Sequence, residues 1–436
     1  MATYLKQSIQ TSESSDIKIQ KTVAELLQRI RQQGESAVIE LAAQLDDWTG
    51  EFILNPDDIS ELVSQVPQQV KDDIRFAHDQ IYGFALKQRD SLHAFETEPL
   101  PGVILGQKLV PCQCAGCYIP GGRYAHAASA LMSVATAKAA GVPFIVACTP
   151  PRGVSINPTV AYALSHSGAD VVMALGGVQA IATMAFGLFT GKAADIIVGP
   201  GNAYVAEAKR LLYGEIGIDV FAGPTESLVI ADKTADPMIV AVDLVSQCEH
   251  GYDSPVWLVT DSQALGDAVI KIMPTVIADL PDPEVAASAW KNYGEVVLCE
   301  NRDELARVND VYAAEHVQVI AADLDWYLEN LKNYGSLFLG EGCTVAHGDK
   351  TSGTNHILPT KKAARYTGGL NAAKFIKILT YQKLTQAANR FIGAVTSRIS
   401  RYEGMEGHAR AADIRLRKYF PDEAFDFDVY DHKRNA

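Results

Sequence analysis

FIVACTPP (144–151), DVVMALGG (170–177), DIIVGPGN (195–202) and DVFAGPTESLVIAD (219–232) follow one another through the middle of the chain. Each is a short apolar run closed by turn residues, and the runs recur about every 25 residues with alanine-rich, helix-like segments between them. Strands alternating with helices at that interval predict parallel strands joined by right-handed crossovers. The fold class that follows is α/β.

Toward the C-terminus a second set repeats the pattern: PVWLVTD (255–261), EVVLCEN (295–301), HVQVIAAD (316–323) and SLFLGEG (336–342). Helical stretches such as SQALGDAVIKIM (262–273) and RDELARVND (302–310) separate them. Toward the N-terminus, Val23, Leu26, Leu27, Ile30, Val38, Leu41 and Leu45 fall on a helical period broken at Gly34, which predicts a helix pair. Residues 57–89 continue as helix, and GVILGQKLVP (102–111) is β-like. After about Gly369 the pattern predicts a helical appendage with a charged, aromatic tail. The expectation is two Rossmann-like α/β domains with parallel sheets, plus helical N-terminal and C-terminal appendages. Residues 1–20 form an arm, 21–118 with 224–370 a discontinuous first domain, 119–223 the second, and 371–436 the appendage.

A chain of 436 residues is long enough for more than one core, and 48% apolar with 21% charged residues is ordinary for a globular protein. The net charge of −14 argues against nucleic-acid binding, which needs a basic surface. MATYLKQSIQTSESSDIK (1–18) lacks the basic and apolar regions of a signal peptide, and no membrane span is expected. Seven scattered cysteines fit a reducing compartment, so a cytoplasmic protein is expected. Cys112, Cys114 and Cys117 have the spacing of half a zinc knuckle, but no second Cys or His pair lies nearby, and buried thiols are the plainer reading.

Five polar segments interrupt the strand–helix pattern. Glycine-rich turns at Pro120-Gly121-Gly122, Gly176-Gly177-Val178-Gln179 and Gly199-Pro200-Gly201-Asn202 follow strands and offer free N–H groups to an anion, though none matches G-x-G-x-x-G. In AVDLVSQCEHGYD (241–253), Gln247 and His250 share a helix face and could ligate a divalent metal; a capped helix end is the bland alternative. Glu315-His316 places two proton-transfer groups side by side at the start of a strand, where adjacent side chains point apart unless the backbone turns. His347 to His356 puts one Asp and two His in a polar loop, and EGMEGH (403–408) adds Glu403 and His408 in a flexible turn. Spacing alone does not bring these segments together.

In chain order, YIPGG (118–122), LGGVQAIA (175–182), GPGNAYVAEAKR (199–210), FAGPTESLVIAD (221–232), SQCEHG (246–251), EHVQV (315–319), NYGSLFLG (333–340), GDKTSGTNHILPT (348–360) and EGMEGH resemble the motifs of the histidinol dehydrogenase family. The resemblance implies a homodimer with shared active sites, acting on a small-molecule alcohol with NAD and one Zn2+ per subunit. It makes Gln247, His250, Asp349 and His408 the zinc ligands, His316 the base that takes the alcohol proton, and Glu315 the group that activates water. Tyr118, Gln179 and Asn202 match the NAD positions, and Thr225, His356 and Glu403 the substrate positions. The appendage would carry His408 and Glu403 across to the partner.

Departures from the family pattern cluster in three places. Arg123-Tyr124-Ala125-His126 replaces a proline- and serine-containing stretch, Lys350 stands where Tyr is usual, and Arg365-Tyr366-Thr367-Gly368-Gly369-Leu370, preceded by Lys361 and Lys362, replaces R-F-S-S-G-L. These resemble a divergent branch, that of the sulfopropanediol dehydrogenases, and imply four-electron oxidation of 2,3-dihydroxypropane-1-sulfonate to sulfolactate, with L-histidinol to L-histidine as the alternative. A sulfonate is a fixed anion suited to Lys350 and Arg123. Ordinary solvation of the lysines is the competing reading, and the retained Glu403 and His356 favour histidinol.

Overall fold

The computed structural model of the chain describes residues 2–10, 17–121, 125–220 and 223–425. They divide into two compact units, Met1–Asp90 with Pro111–Phe375 and Ser91–Val110 with Ile376–Ala436.

The first unit begins with strand β1 (Thr3–Lys6) and the expected helix pair, α1 (Ile17–Gln33) and α2 (Glu35–Leu45). Gly34 breaks them at φ 63°, a left-handed conformation that glycine adopts without a side-chain penalty. Helix α3 (Pro56–Ser64) starts at a capping box between Asn55 and Asp58, and α4 (Gln68–Asp90) follows. Strands β2 (Phe95–Leu100) and β3 (Val103–Pro111) lead to β4 (Cys114–Tyr118), which the sequence reading left unassigned. Alternation then runs through α5 (Ala127–Ala139), β5 (Phe144–Thr149), α6 (Pro158–Ser167), β6 (Val171–Ala174), α7 (Gly177–Phe186), β7 (Ile196–Val198), α8 (Ala203–Leu212) and β8 (Gly217–Ile218). The resulting five-stranded sheet is parallel, with order β6-β5-β4-β7-β8. Strand order reverses at β4 and β7, and a crevice at the carboxyl ends of such strands is where α/β sheets take ligands. Cys112, Cys114, Cys117 and Cys148 are buried and form no disulfide.

The run 219–232 does not stay in one sheet. Its second half, β9 (Ser227–Ala231), lies near the middle of another sheet built with β10 (Val256–Thr260), β11 (Glu295–Leu298), β12 (His316–Ile320) and β13 (Ser336–Leu339). Helices α9 (Pro237–Cys248), α10 (Gln263–Ala278), α11 (Pro283–Tyr293), α12 (Arg302–Tyr312), α13 (Leu324–Asn330) and the short α14 (Val345–Lys350) connect and flank these strands. The order is β1-β11-β10-β9-β12-β13. All pairs are parallel except β1 on β11, so the N-terminal arm supplies an antiparallel edge and the sheet is mixed. Alternate residues of β9 feed opposite cores: Val229 packs with Leu244, Leu258, Met273 and Trp290, while Leu228 and Ile230 pack with Leu305, Val317 and Tyr327. Burial on both faces explains why these strands are near-continuous apolar runs.

In the second unit, β14 (Ile376–Leu384) joins β3 and β2 in a three-stranded sheet of order β14-β3-β2. This corrects the expectation of a wholly helical appendage after about Gly369. The segment Ile376-Lys377-Ile378-Leu379-Thr380-Tyr381 is rich in β-branched and aromatic residues, and the helical period resumes only at α15 (Gln386–Tyr402), capped by Thr385. Helix α16 (Glu406–Tyr419) packs back on α15, where Asp413 accepts from Ser397 at 2.5 Å and from Arg401 at 2.6 Å.

Candidate active site

Residues from several elements of the first unit meet at the amino ends of β9 and β12. His316 is the first residue of β12, pairs with Ser227 and Ser336, and is 3% exposed. Glu315 precedes the strand, and this lets both side chains turn the same way: Glu315 Oε2 lies 3.7 Å from His316 Nδ1. Glu315 Oε2 also accepts the main-chain N–H of Glu226 at 3.1 Å, and the Glu226 carbonyl faces His316 Nδ1 at 3.3 Å. In the neutral ring, with Nδ1 as the N–H donor there, Nε2 is the acceptor; it has no hydrogen-bond partner.

Asp349 sits in α14, which replaces part of the polar loop expected at 347–356. Its Oδ1 is 3.5 Å from His316 Nε2 and its Oδ2 is 3.9 Å from His250 Nε2. His250 lies just past α9, and Gln247, in the last turn of that helix, is 2% exposed with no partner for its Oε1. Helix α9 is tied to β12 one turn earlier, because Asp243 accepts from Gln318 at 2.7 Å and from Thr344 at 2.9 Å. His356 is held at both ring nitrogens, 3.0 Å from the Asp349 carbonyl and 3.1 Å from Ser129 Oγ. Asn355 donates to the Met132 carbonyl at 2.9 Å and to Thr136, so α5 anchors the loop that follows Asp349 and α14.

The electrostatics of this cluster set its chemistry. Burial pushes Glu315 up to about 8 despite the neighbouring His316. Burial alone would favour neutral His316, but Glu315 and Asp349 reverse that and raise it to about 9, so the two groups titrate as a pair. Burial also opposes the Asp349 carboxylate, yet His316, His356 and His250 more than offset it and hold its pKa far below the usual range. His250 keeps 40% of its side-chain surface, but desolvation by packed neighbours, with His316 and Lys350, pushes it down to about 4. Glu226 is raised to about 7 by burial.

These residues fit a divalent cation. An anionic carboxylate lies 3.9 Å from a neutral imidazole, and Gln247, three residues before that histidine, carries a buried amide oxygen without a partner; a dication held there would disfavour the proton on His316. Among the described residues no three His, Cys, Asp or Glu side chains form a ready cage. His408 lies in the first turn of α16 and Glu403 caps α15, both exposed residues of the second unit. Lys350 is exposed, and its charge helps keep His126, His250 and His356 neutral after burial has done most of that work. Thr225 is half-buried beside Glu226. Arg123 lies outside the described residues.

At the five-stranded sheet, Tyr118 ends β4 and its hydroxyl accepts the Gly177 N–H at 3.2 Å. Gln179 donates to Asp46 at 2.7 Å, and the Asn202 side chain caps α8. Gly199, at φ 119°, presses so close to Tyr118 that a Cβ would fall 1.9 Å from the Tyr118 carbonyl oxygen. A buried ion pair fixes this turn: Lys209 bonds the Gly199 carbonyl at 2.9 Å and Asp219, while Asp219 accepts the Gly199 N–H at 2.7 Å. A cavity lined by Pro120, His126, Thr149, Arg152 and Asn157 opens beside β4 and β5. Sequence reasoning missed Glu226, Asp243, Gln318 and the Lys209–Asp219 pair. The buried lysine carries no local motif, and nothing around Glu226 in FAGPTES marks it as buried.

The family model for histidinol dehydrogenase matches residues 9–416. Sulfopropanediol 3-dehydrogenase of Ruegeria pomeroyi is 55% identical over 426 residues, 97% of this chain and 98% of the relative. Histidinol dehydrogenase of Methanothermobacter thermautotrophicus is 38% identical over 397 residues, covering 91% and 93%. The crystal structure of histidinol dehydrogenase from Elizabethkingia anophelis superposes with a TM-score of 0.88 at 31% identity, covering 95% of this chain and 94% of that one. Among the described residues no helix is long and apolar enough to cross a membrane. The chain belongs to the histidinol dehydrogenase family and is an alcohol dehydrogenase.

Proposed function

We propose that the protein oxidises the primary alcohol of 2,3-dihydroxypropane-1-sulfonate to the carboxylate of sulfolactate, through the aldehyde, in two NAD-linked steps. The observation that carries this reading is the buried Glu315–His316 pair set against Asp349, with His316 Nε2 and Gln247 Oε1 both left without partners. Gln247, His250, Asp349 and, from a second copy of the chain, His408 would hold one zinc ion, and Glu403 of that copy would reach the substrate. When bound, zinc orients and polarises the alcohol oxygen, and NAD accepts two electrons at each step. His316 takes the alcohol proton at Nε2, because the Glu226 carbonyl keeps Nδ1 as the donor. Glu315, in its ionised form, then receives a proton from the water that adds to the aldehyde, and the buried site keeps bulk water from competing.

Tyr118, Gln179 and Asn202 would frame the cofactor at the reversal point of the five-stranded sheet. Lys350, with Arg123, Thr225 and His356, would meet the substrate; a lysine suits a sulfonate better than a cationic amine. The relative of matching length named for sulfopropanediol supports that choice. The retained His356 and Glu403 favour L-histidinol as the second reading.

The test supplies zinc, NAD and either alcohol and follows reduced cofactor. Two reduced cofactors per dihydroxypropanesulfonate are expected, and a stoichiometry of one overturns the two-step route. Faster turnover of L-histidinol overturns the substrate assignment. His316→Gln should abolish turnover with zinc still bound, and full activity in that variant would refute the assignment of the base.

A further inference from the structure

Glu226 is a buried carboxylate that no step above uses, 5% exposed and with no partner for Oε2. Three of its groups hold three different parts of the site. Its main-chain N–H donates to Glu315 at 3.1 Å. Its carbonyl accepts the main-chain N–H of His316 at 3.1 Å and faces the ring Nδ1 at 3.3 Å. Its Oε1 accepts the main-chain N–H of Lys361 at 2.8 Å.

The third contact reaches an unusual backbone. Lys361 and Lys362 have φ values of 54° and 65°, two successive non-glycine residues in the left-handed region, which surrounding structure has to enforce. A second bond joins the same two segments, from the Gly223 N–H to Thr360 Oγ1. Any residue at 226 would bring the main-chain bonds to Glu315 and His316. What a different side chain would not bring is the anchor that sets the angle of that peptide just before β9 begins at Ser227.

We infer that Glu226 is a positioning residue, whose carboxyl staples the strained Lys361–Lys362 turn to the peptide that orients His316 and Glu315. The geometry of the base and the path of the 360–370 segment are then linked through one side chain. A proton acceptor displaced by a fraction of an ångström loses much of its efficiency, so the staple should act on turnover more than on binding. The catalytic consequence, though not the geometric one, rests on the reading of His316 as base.

The experiment compares zinc-loaded wild type with Glu226→Ala and Glu226→Gln by steady-state kinetics, zinc content and crystal structure. Glu226→Ala should lower kcat by about ten- to hundredfold, with zinc content and KM for NAD little changed. Glu226→Gln keeps an oxygen for the Lys361 N–H and should recover kcat to within a few-fold of wild type. In the crystal, the alanine variant should move His316 Nδ1 away from the residue-226 carbonyl and relax the Lys361–Lys362 turn; the glutamine variant should move neither. Unchanged kcat with an unmoved His316 in Glu226→Ala overturns the inference, as does a glutamine variant no better than alanine. Should the alanine variant not fold, Glu226→Asp, which withdraws the acceptor by one methylene, is expected to lose kcat in its place, and full kcat there counts against the inference. If wild type reduces NAD with neither alcohol, the proposed function fails, and the crystallographic comparison alone decides the role of Glu226.

Discussion

Glu226 keeps its proton to a higher pH than an exposed glutamate does. Its folded pKa, raised to about 7 by burial against the opposing pull of Lys361, His316 and Lys362, lies above the ordinary carboxyl value. The folded state therefore binds the extra proton between the two values. The stability this contributes is complete below the unfolded pKa and is lost as pH rises through about 7. Glu226→Gln cannot ionise, so its unfolding free energy should gain on that of wild type as pH is raised from 5 to 8, measured by denaturant titration of the zinc-free protein. Parallel curves would contradict the assignment. None of this was legible from the sequence, because FAGPTES shows a glutamate in a turn and only the fold shows that it is buried.

At the level of elements, the strand–helix alternation was readable because burial on both faces makes strands into apolar runs, as at FIVACT and HVQVI. The pattern was silent where side chains are small or shared between structures. CAGCY became β4, a central strand, although its small residues give no periodic signal. The run 219–232 looked continuous, yet it leaves one sheet and enters another. The Glu315-His316 step was read correctly as needing a turn of backbone, which the residue before β12 provides. The turn at Gly199 carries the next prediction. Gly199→Ala should raise KM for NAD and lower stability by at least about 1–3 kcal/mol, the cost of backbone strain alone. Lys209→Met should cost about 3–5 kcal/mol, because Asp219 would be left buried without its partner. Unfolding curves and cofactor titrations read both, and a neutral Lys209→Met would show that the ion pair does not hold the turn.

For the whole molecule, the candidate ligands divide between the two units, Gln247, His250 and Asp349 in one and His408 in the other. If the second copy supplies His408, neither His316→Gln nor His408→Ala alone should turn over. Mixing them after reversible dissociation should restore about a quarter of wild-type activity, since half the dimers would be mixed and each would hold one intact site. Failure to complement in verified mixed dimers would place all four ligands in one subunit. The expectation of a shared site comes from family resemblance and not from spacing, since nothing in EGMEGH announces which chain it serves.

Strand β1 lies at the edge of the six-stranded sheet, antiparallel to β11 from Thr3↔Leu298 onward. A chain trimmed of its first ten residues would keep every group named in the chemistry above. It would also bare the N–H and C=O row of β11, a ready template for pairing with another molecule. The short N-terminal arm thus bears on colloidal behaviour: its loss should first appear as aggregation on standing, while freshly prepared protein still turns over.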